Sequence, residues 1–495
     1  MTASHQPDRP AAASNRKIYT LFLVVLAVAF LVKGALVLNS ARRGKQRDYP
    51  RWHKIARCVL DDQPLADPLS RVTFLQSPTT APAATQPQDA PATEPAPTAP
   101  AAGQPDGAAG AGADDEPPAV HGDKGLKFYK LPPAFAVYIA PFGLLSYWPY
   151  IVAWYLSSVL AYAVAVGLTM RLLHGRWLPA DPRALIFPVL LTLPFAMDDV
   201  HNGTNNLHLL AMLVAGFYLA SRKLNWAGGL AVGMAITWKA FPAAVLPVLL
   251  VTRRWRLLGW SLAATVLWTL VVPGLVRGYE RQWQETGLWY QRIVGPYMRG
   301  ARQRQWKTQG RSEKNQSTQA LLHRLLRPVD AISGFPRGSE HVSDAPLYVN
   351  LASLSRSAVN AAFVVVVLLL LVGAAAVGLP RRAPPTADAW AADASLACGF
   401  VLLASPIAWT YFFTLILVPA ALAAKAAHDP ARSKRLRRLC VVAWVVSFPL
   451  MFSGLLDAAR AVGALTLLAV LWYGVALACR WAFNSAGKDA GPAAS

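Results

Sequence analysis

The chain has 495 residues, of which 54% are apolar and 15% charged, and its formal net charge is +22. A soluble protein carries about 25% charged residues, so this composition excludes a mainly soluble chain and indicates a polytopic membrane protein. The positive charge lies almost wholly outside the apolar segments, and no compact nucleic-acid module is present. Anionic lipid and phosphate groups are therefore the expected partners, together with membrane lipids and not nucleic acid.

Apolar runs of roughly 17–25 residues recur along the chain, each long enough to cross a bilayer core. Backbone groups in lipid must be satisfied internally, so helix is the expected state and the fold class is all-α. Spans are expected over 18–39, 149–172, 184–198, 205–221, 226–239, 241–252, 257–275, 357–379, 391–409, 411–427, 438–456 and 461–481, about twelve in all. Arg16 and Lys17 precede the first run, which ends without a small-x-small cleavage pattern. That favours an uncleaved anchor over a signal peptide.

A dense basic cluster follows at once. Between Arg42 and Arg57 lie seven Lys/Arg and one carboxylate, Asp48. A lone acid ringed by cations at the mouth of the first span points to a catalytic base beside a phosphate site. The alternative is an ion pair of Asp48 with Arg47 or Arg51. Other acids that compete for the role are Asp61 and Asp62, which look like a turn or helix end, and Asp198 and Asp199 at the end of the third span.

Residues 77–121 are rich in Pro, Ala, Thr and Gly and cannot bury a core, so a disordered insertion is expected. The stretch Ala134 to Leu145 is too short to span and fits a helix along the membrane surface. Within 226–252, Lys239 and Pro242 stand between two apolar halves. An ionisable residue at such depth is a functional candidate, and a short outer turn with an interfacial lysine is the alternative. From Arg277 to Arg327 eleven Lys/Arg face three acids, which reads either as a solvated basic face or as a site for lipid phosphate.

Short basic loops fall on alternate sides of successive spans, on the side where the chain starts. The positive-inside bias makes that side the cytoplasm, with both termini there and two large loops outside. The expected divisions are a cytoplasmic tail 1–17, first span and loop 18–76, insertion 77–121, surface helix and core spans 122–275, a basic outer loop 276–356, C-terminal spans 357–482 and a cytoplasmic tail 483–495. Four cysteines, of which Cys58 alone lies in a loop, give no disulfide framework. No His/Cys spacing resembles a metal site, and no cofactor is expected.

Several landmarks together resemble the GT-C superfamily of membrane glycosyltransferases, and within it glycosyltransferase family 87. They are Asp48-Tyr49 after the first span, Tyr129 with Pro132-Pro133, Gly203-Thr204-Asn205-Asn206, and Gly229, Gly233 and Lys239 through Pro242. Asn315-Gln316-Ser317 with Arg324, and Ser405-Pro406 with Trp409, complete the set. Thr204 stands where the family usually has Gln. The resemblance implies a GT-C-like bundle with two large extracytoplasmic loops in a bacterial cytoplasmic (inner) membrane. It also implies a polyprenyl-phosphate-linked sugar donor, usually mannose, a glycolipid or glycan acceptor, and inverting transfer on the extracytoplasmic side.

Under that reading Asp48 is the general base. The candidates for the leaving phosphate are Lys239, Arg292, Arg299, His53 and His323. Those for acceptor or sugar positioning are Asp198, Asp199, Asn206, Tyr129, Asn315 and Gln316, while Trp52, Trp283, Trp289 and Tyr290 are available for stacking on sugars. No metal is called for when Lys and Arg stabilise the departing phosphate. The competing class is a lipid or sugar transporter or flippase. Secondary transporters often carry paired interrupted helices, and only one broken hairpin is visible here. A non-catalytic scaffold would leave Asp48 unexplained.

Overall fold

The computed structural model describes residues 9–45, 48–65, 131–294, 311–339, 342–379 and 386–489. The insertion at 77–121, the expected ion-pair partner Arg47, and the candidates Tyr129 and Arg299 lie outside these residues. Every regular element among them is helical, apart from two isolated bridges, Val329 with Pro336 and Asp330 with Tyr348.

In chain order the helices are α1 (Arg9–Arg42), α2 (Asp48–Leu60), α3 (Pro133–Ile139), α4 (Tyr147–His174), α5 (Arg183–Asn202), α6 (Asn206–Ser221), α7 (Asn225–Trp238), α8 (Val245–Val251) and α9 (Trp255–Val266). There follow α10 (Val272–Arg277), α11 (Tyr279–Trp289), α12 (Thr318–Leu326), α13 (Arg356–Gly378), α14 (Ala387–Ala404), α15 (Leu417–His428), α16 (Lys434–Ser453), α17 (Asp457–Ala461) and α18 (Ala464–Asp489). Nine helical segments among the described residues are long and apolar enough to cross a membrane. The segments expected as spans at 205–221, 226–239 and 241–252 form shorter helices, because Lys223, Lys239 and Pro242 stand at their breaks.

Burial separates centre from periphery. α14 and α15 are mostly apolar and almost wholly inside, as a core helix must be, whereas α1 and α13 bury only a small share of their residues. α7 and α9 approach closely because Gly229 and Gly233 of α7 lie against the backbone of Trp260, Ser261 and Ala264. Small residues at such a crossing are how membrane helices gain packing contact. Ser317, Ser355, Thr386 and Ser433 cap α12, α13, α14 and α16, each accepting an N–H of the first turn.

One ionic knot ties the bundle together away from the site. Asp393, fully buried on α14, accepts from Arg254 Nε at 2.7 Å and from Arg480 Nε at 2.8 Å. The Arg254 guanidinium also lies 3.5 Å from the centre of the Trp390 ring. A buried carboxylate is tolerated only when its lone pairs are met in this way.

Beyond the spans, α3 is prolonged by a 3₁₀ turn, Ala140–Leu144, and lies against α2, where Phe135 meets the edge of Trp52 at 5.6 Å. The loop after α12 is organised by Asp330, which accepts from the backbone of Ile332, Ser333, Ser343 and Leu347 and from both serine hydroxyls. The α2 N-terminus, the ends of α5 and α7, the α14–α15 connection and α17 all fall at one end of the bundle. The basic turns at Arg171–Arg183, Arg222–Lys223, Arg253–Arg256 and Arg432–Arg438 fall at the other.

Candidate active site

The site is assembled where helices stop. α5 ends at Gly203, whose φ of 69° places it in the left-handed region that glycine adopts without strain. A Cβ there would also run into the Tyr49 ring. The freed Gly203 carbonyl accepts two indole N–H groups, from Trp52 at 2.9 Å and Trp154 at 3.0 Å. The Tyr49 hydroxyl donates to Val200 O at 2.7 Å, and burial pushes that phenol well above its usual pKa, so it stays a donor. α2 is therefore docked rigidly on the end of α5. Its first residue, Asp48, is set at the rim of a cavity.

That cavity has a volume of about 820 Å³, within the range of roughly 300–1,000 Å³ usual for small-molecule sites. Asp48, Arg51 and Trp52 of α2 line it, with Asp198 and Asn202 of α5, Lys239 and Phe241, Trp289, Lys314, the strips Ser405–Ile407 and Trp409–Phe412, and Arg460 of α17. Among the described residues the charged groups on this wall are four cations, Arg51, Lys239, Lys314 and Arg460, against two acids, Asp48 and Asp198. Such a balance favours an anionic ligand. Arg51 donates to Asp48 Oδ1 at 3.1 Å across one helical turn, with the Asp48 side chain 21% exposed. A carboxylate at a helix N-terminus is also favoured by the helix dipole.

Lys239 interrupts the chain between α7 and the 3₁₀ turn Phe241–Ala244, with φ −149° and ψ 140°. Its ammonium donates to Asn206 Oδ1 at 2.9 Å. The rings of Phe412, Phe241 and Tyr411 surround it at 4.9, 5.8 and 5.9 Å. Asp198 points toward the cavity and accepts from Asn202 Nδ2 at 2.9 Å. Its neighbour Asp199 is fully buried and does not line the cavity. Asn206 likewise sits behind the wall, between Asp199 and Lys239.

Other sequence candidates are held elsewhere. His53 is buried with Nε2 2.9 Å from Leu145 O and its ring beside Tyr147 and Tyr150, so it braces α2 and does not face the cavity. His323 lies 3.2 Å from Asn360 Oδ1; burial, then the charges of Arg311 and Arg327, lower its pKa to about 3, and it is a neutral ring away from the cavity. Asn315 accepts from Ala408 N at 2.9 Å and donates to Pro406 O at 3.3 Å. Gln316 donates to Arg460 O at 2.7 Å, and its own N–H meets Ala408 O at 2.7 Å. These two residues build the cavity wall from behind. Arg324 does the same, donating to the carbonyls of Ala461, Arg311, Ser312, Asn315 and Arg460. The side chain of Arg292 lies outside the described residues.

Sequence reading missed Lys314, Arg460 and the aromatic pair Tyr411 and Phe412. The only signal for Arg460 was an Asp457–Arg460 pair in the short connection before the last span. Among the described residues no three His, Cys, Asp or Glu side chains converge as metal ligands would.

A family model, glycosyltransferase family 87, matches residues 129–406. That stretch contains Lys239 and the Ser405-Pro406 wall, while Asp48 and Arg460 lie outside it. Over 156 residues the chain is 28% identical to an alpha-(1->3)-arabinofuranosyltransferase of Corynebacterium glutamicum, a match covering 30% of this chain and 36% of that enzyme. The chain thus spans about a third of that relative's length. The crystal structure of ArnT from Cupriavidus metallidurans bound to undecaprenyl phosphate aligns with 73% of this chain and 68% of that one, at 15% identity and a TM-score of 0.30. That likeness is too distant to bear on the site.

Proposed function

Because the chain belongs to glycosyltransferase family 87, we propose that it transfers a hexose, mannose, from a polyprenyl-phosphate-linked donor to a hydroxyl of a glycolipid or glycan acceptor. The transfer occurs at the outer face of a bacterial cytoplasmic membrane, with both chain termini inside. The observation that carries this reading is a single cavity lined by both Asp48 and Lys239. The cavity lies at the end of the bundle opposite the basic turns, and the positive-inside bias assigns that end to the outside.

The chemistry follows from the two groups. An Asp48 carboxylate oxygen takes the proton of the acceptor hydroxyl as that oxygen attacks the anomeric carbon. The bond from the anomeric carbon to the phosphate oxygen breaks, and its electron pair leaves with the lipid phosphate. The configuration inverts and no glycosyl-enzyme forms. Lys239 and Arg51 meet the charge that grows on the departing phosphate, which is worth most where water is scarce. The Trp52, Trp289 and Trp409 rings offer apolar faces to the sugar.

One relative is an alpha-(1->3)-arabinofuranosyltransferase, which makes arabinofuranose on the same proposed lipid carrier the second donor to test. Reconstituted protein supplied with each donor and with candidate acceptor glycolipids separates the two. Mannosyl transfer with inversion is the expected result. Transfer of arabinofuranose alone would replace the sugar while keeping the site. Movement of donor lipid across the bilayer without transfer from either donor would turn the assignment to a flippase.

A further inference from the structure

Resting on the reading of Lys239 as a phosphate-binding group, we propose that Asp199 is a positioning residue that aims Lys239 through Asn206 without forming a direct ion pair with it. Asp199 is fully buried, and both of its oxygens are occupied by the protein itself. Oδ1 accepts from the Thr204 hydroxyl, from Asn206 Nδ2 at 2.7 Å and from Asn206 N at 3.3 Å. Oδ2 accepts from Leu207 N at 3.4 Å. The two backbone N–H groups belong to the first turn of α6, where helices lack internal acceptors and favour negative charge. The carboxylate is thus fixed by the α5–α6 turn and is not available to a substrate.

The direction of the Asn206 amide follows from proton counting. A hydroxyl has one hydrogen. Thr204 gives that hydrogen to Asp199, so its remaining role toward Asn206 Nδ2, at 2.8 Å, is acceptor. The amide nitrogen therefore faces two acceptors, and the amide oxygen is turned the other way, onto the Lys239 ammonium. The order of dependence is carboxylate, hydroxyl, amide, ammonium. An ammonium has three N–H donors; one is engaged by Asn206, and Lys239 itself lines the cavity. Were a carboxylate in the place of Asn206, the pair would be self-neutralising. A neutral amide holds the lysine in place without pairing its charge directly, so the ammonium still meets the cavity as a cation.

Asn206→Asp tests this directly, because it keeps an oxygen facing Lys239 but replaces the amide N–H donors to Asp199 and Thr204 with a second acid. The probe is sugar-free polyprenyl phosphate, with donor and acceptor KM measured in parallel. The expected result is at least tenfold weaker binding of polyprenyl phosphate and a matching rise in donor KM, with acceptor KM within twofold of the parent. Asn206→Ser removes the tether without adding charge and serves if the aspartate variant does not fold; its expected loss in binding is smaller and again confined to the donor. Equal changes in donor and acceptor KM, or unchanged polyprenyl phosphate binding in either folded variant, would overturn the positioning role. Lys239→Met is the control for the underlying reading. If it loses polyprenyl phosphate binding while the Asn206 variants keep it, only the positioning inference fails. If Lys239→Met itself binds like the parent, Lys239 is not the phosphate group.

Discussion

Asp48→Asn is expected to lower kcat by about 10²–10⁴-fold, the usual contribution of a general base, with donor KM little changed. The substitution is close to isosteric. It keeps an oxygen that accepts from Arg51, and it leaves untouched the Tyr49 and Trp52 hydrogen bonds that dock α2 on Val200 and Gly203. An ion pair as exposed as Asp48 with Arg51 contributes at most about 1 kcal/mol to stability, so the variant should fold and still bind donor. The defect is then confined to the transition state, where the acceptor oxygen gives up its proton, and a fall in kcat at constant KM is its kinetic form. Steady-state transfer rates beside polyprenyl phosphate binding on the same preparation check this. Parental kcat in a folded variant would remove Asp48 from the chemistry.

Lys239→Met should cost about 10²–10³-fold in kcat/KM, comparable with loss of one preorganised group at a developing charge. Unlike the Asp48 change, it should raise donor KM as well, because the phosphate is anionic in the ground state too. Methionine fills nearly the same space among Phe241, Tyr411 and Phe412, so packing loss is a minor part of the effect. The split is the informative feature. One variant disturbs chemistry alone, and the other disturbs both binding and chemistry. A Lys239→Met variant with normal donor KM would place the phosphate elsewhere, with Arg51, Lys314 and Arg460 as the remaining cations that the described residues bring to the wall.

The elements most legible in the sequence were those where one residue type breaks a pattern. Asp48 is the one acid in a basic cluster, and Lys239 with Pro242 breaks an apolar run; the structure brings Asp48 and Lys239 to one cavity. The all-helical membrane architecture was legible from run length, because lipid leaves the backbone no other option. The roles of the polar residues at 315, 316 and 324 were not. Their side chains reach backbone carbonyls and N–H groups about ninety to a hundred and forty positions away in sequence, and residue type alone does not show a distant backbone acceptor. Asp198 and Asp199 show the limit at its finest. Successive residues on a helix point about 100° apart, so one carboxylate faces the cavity and the other the protein interior. Arg460 was hidden because a five-residue helix, Asp457–Ala461, leaves little pattern to read.

Site-directed labelling of position 48 shows whether this side chain stands at an outward-facing donor site. Asp48→Cys is made in a Cys58→Ser background, since the other three cysteines are buried, and is treated in right-side-out vesicles with a membrane-impermeant thiol reagent. Labelling from outside without permeabilisation is expected, with protection when polyprenyl-phosphate donor is present. Labelling only after the vesicles are opened, or labelling that donor lipid leaves unchanged, would contradict that placement.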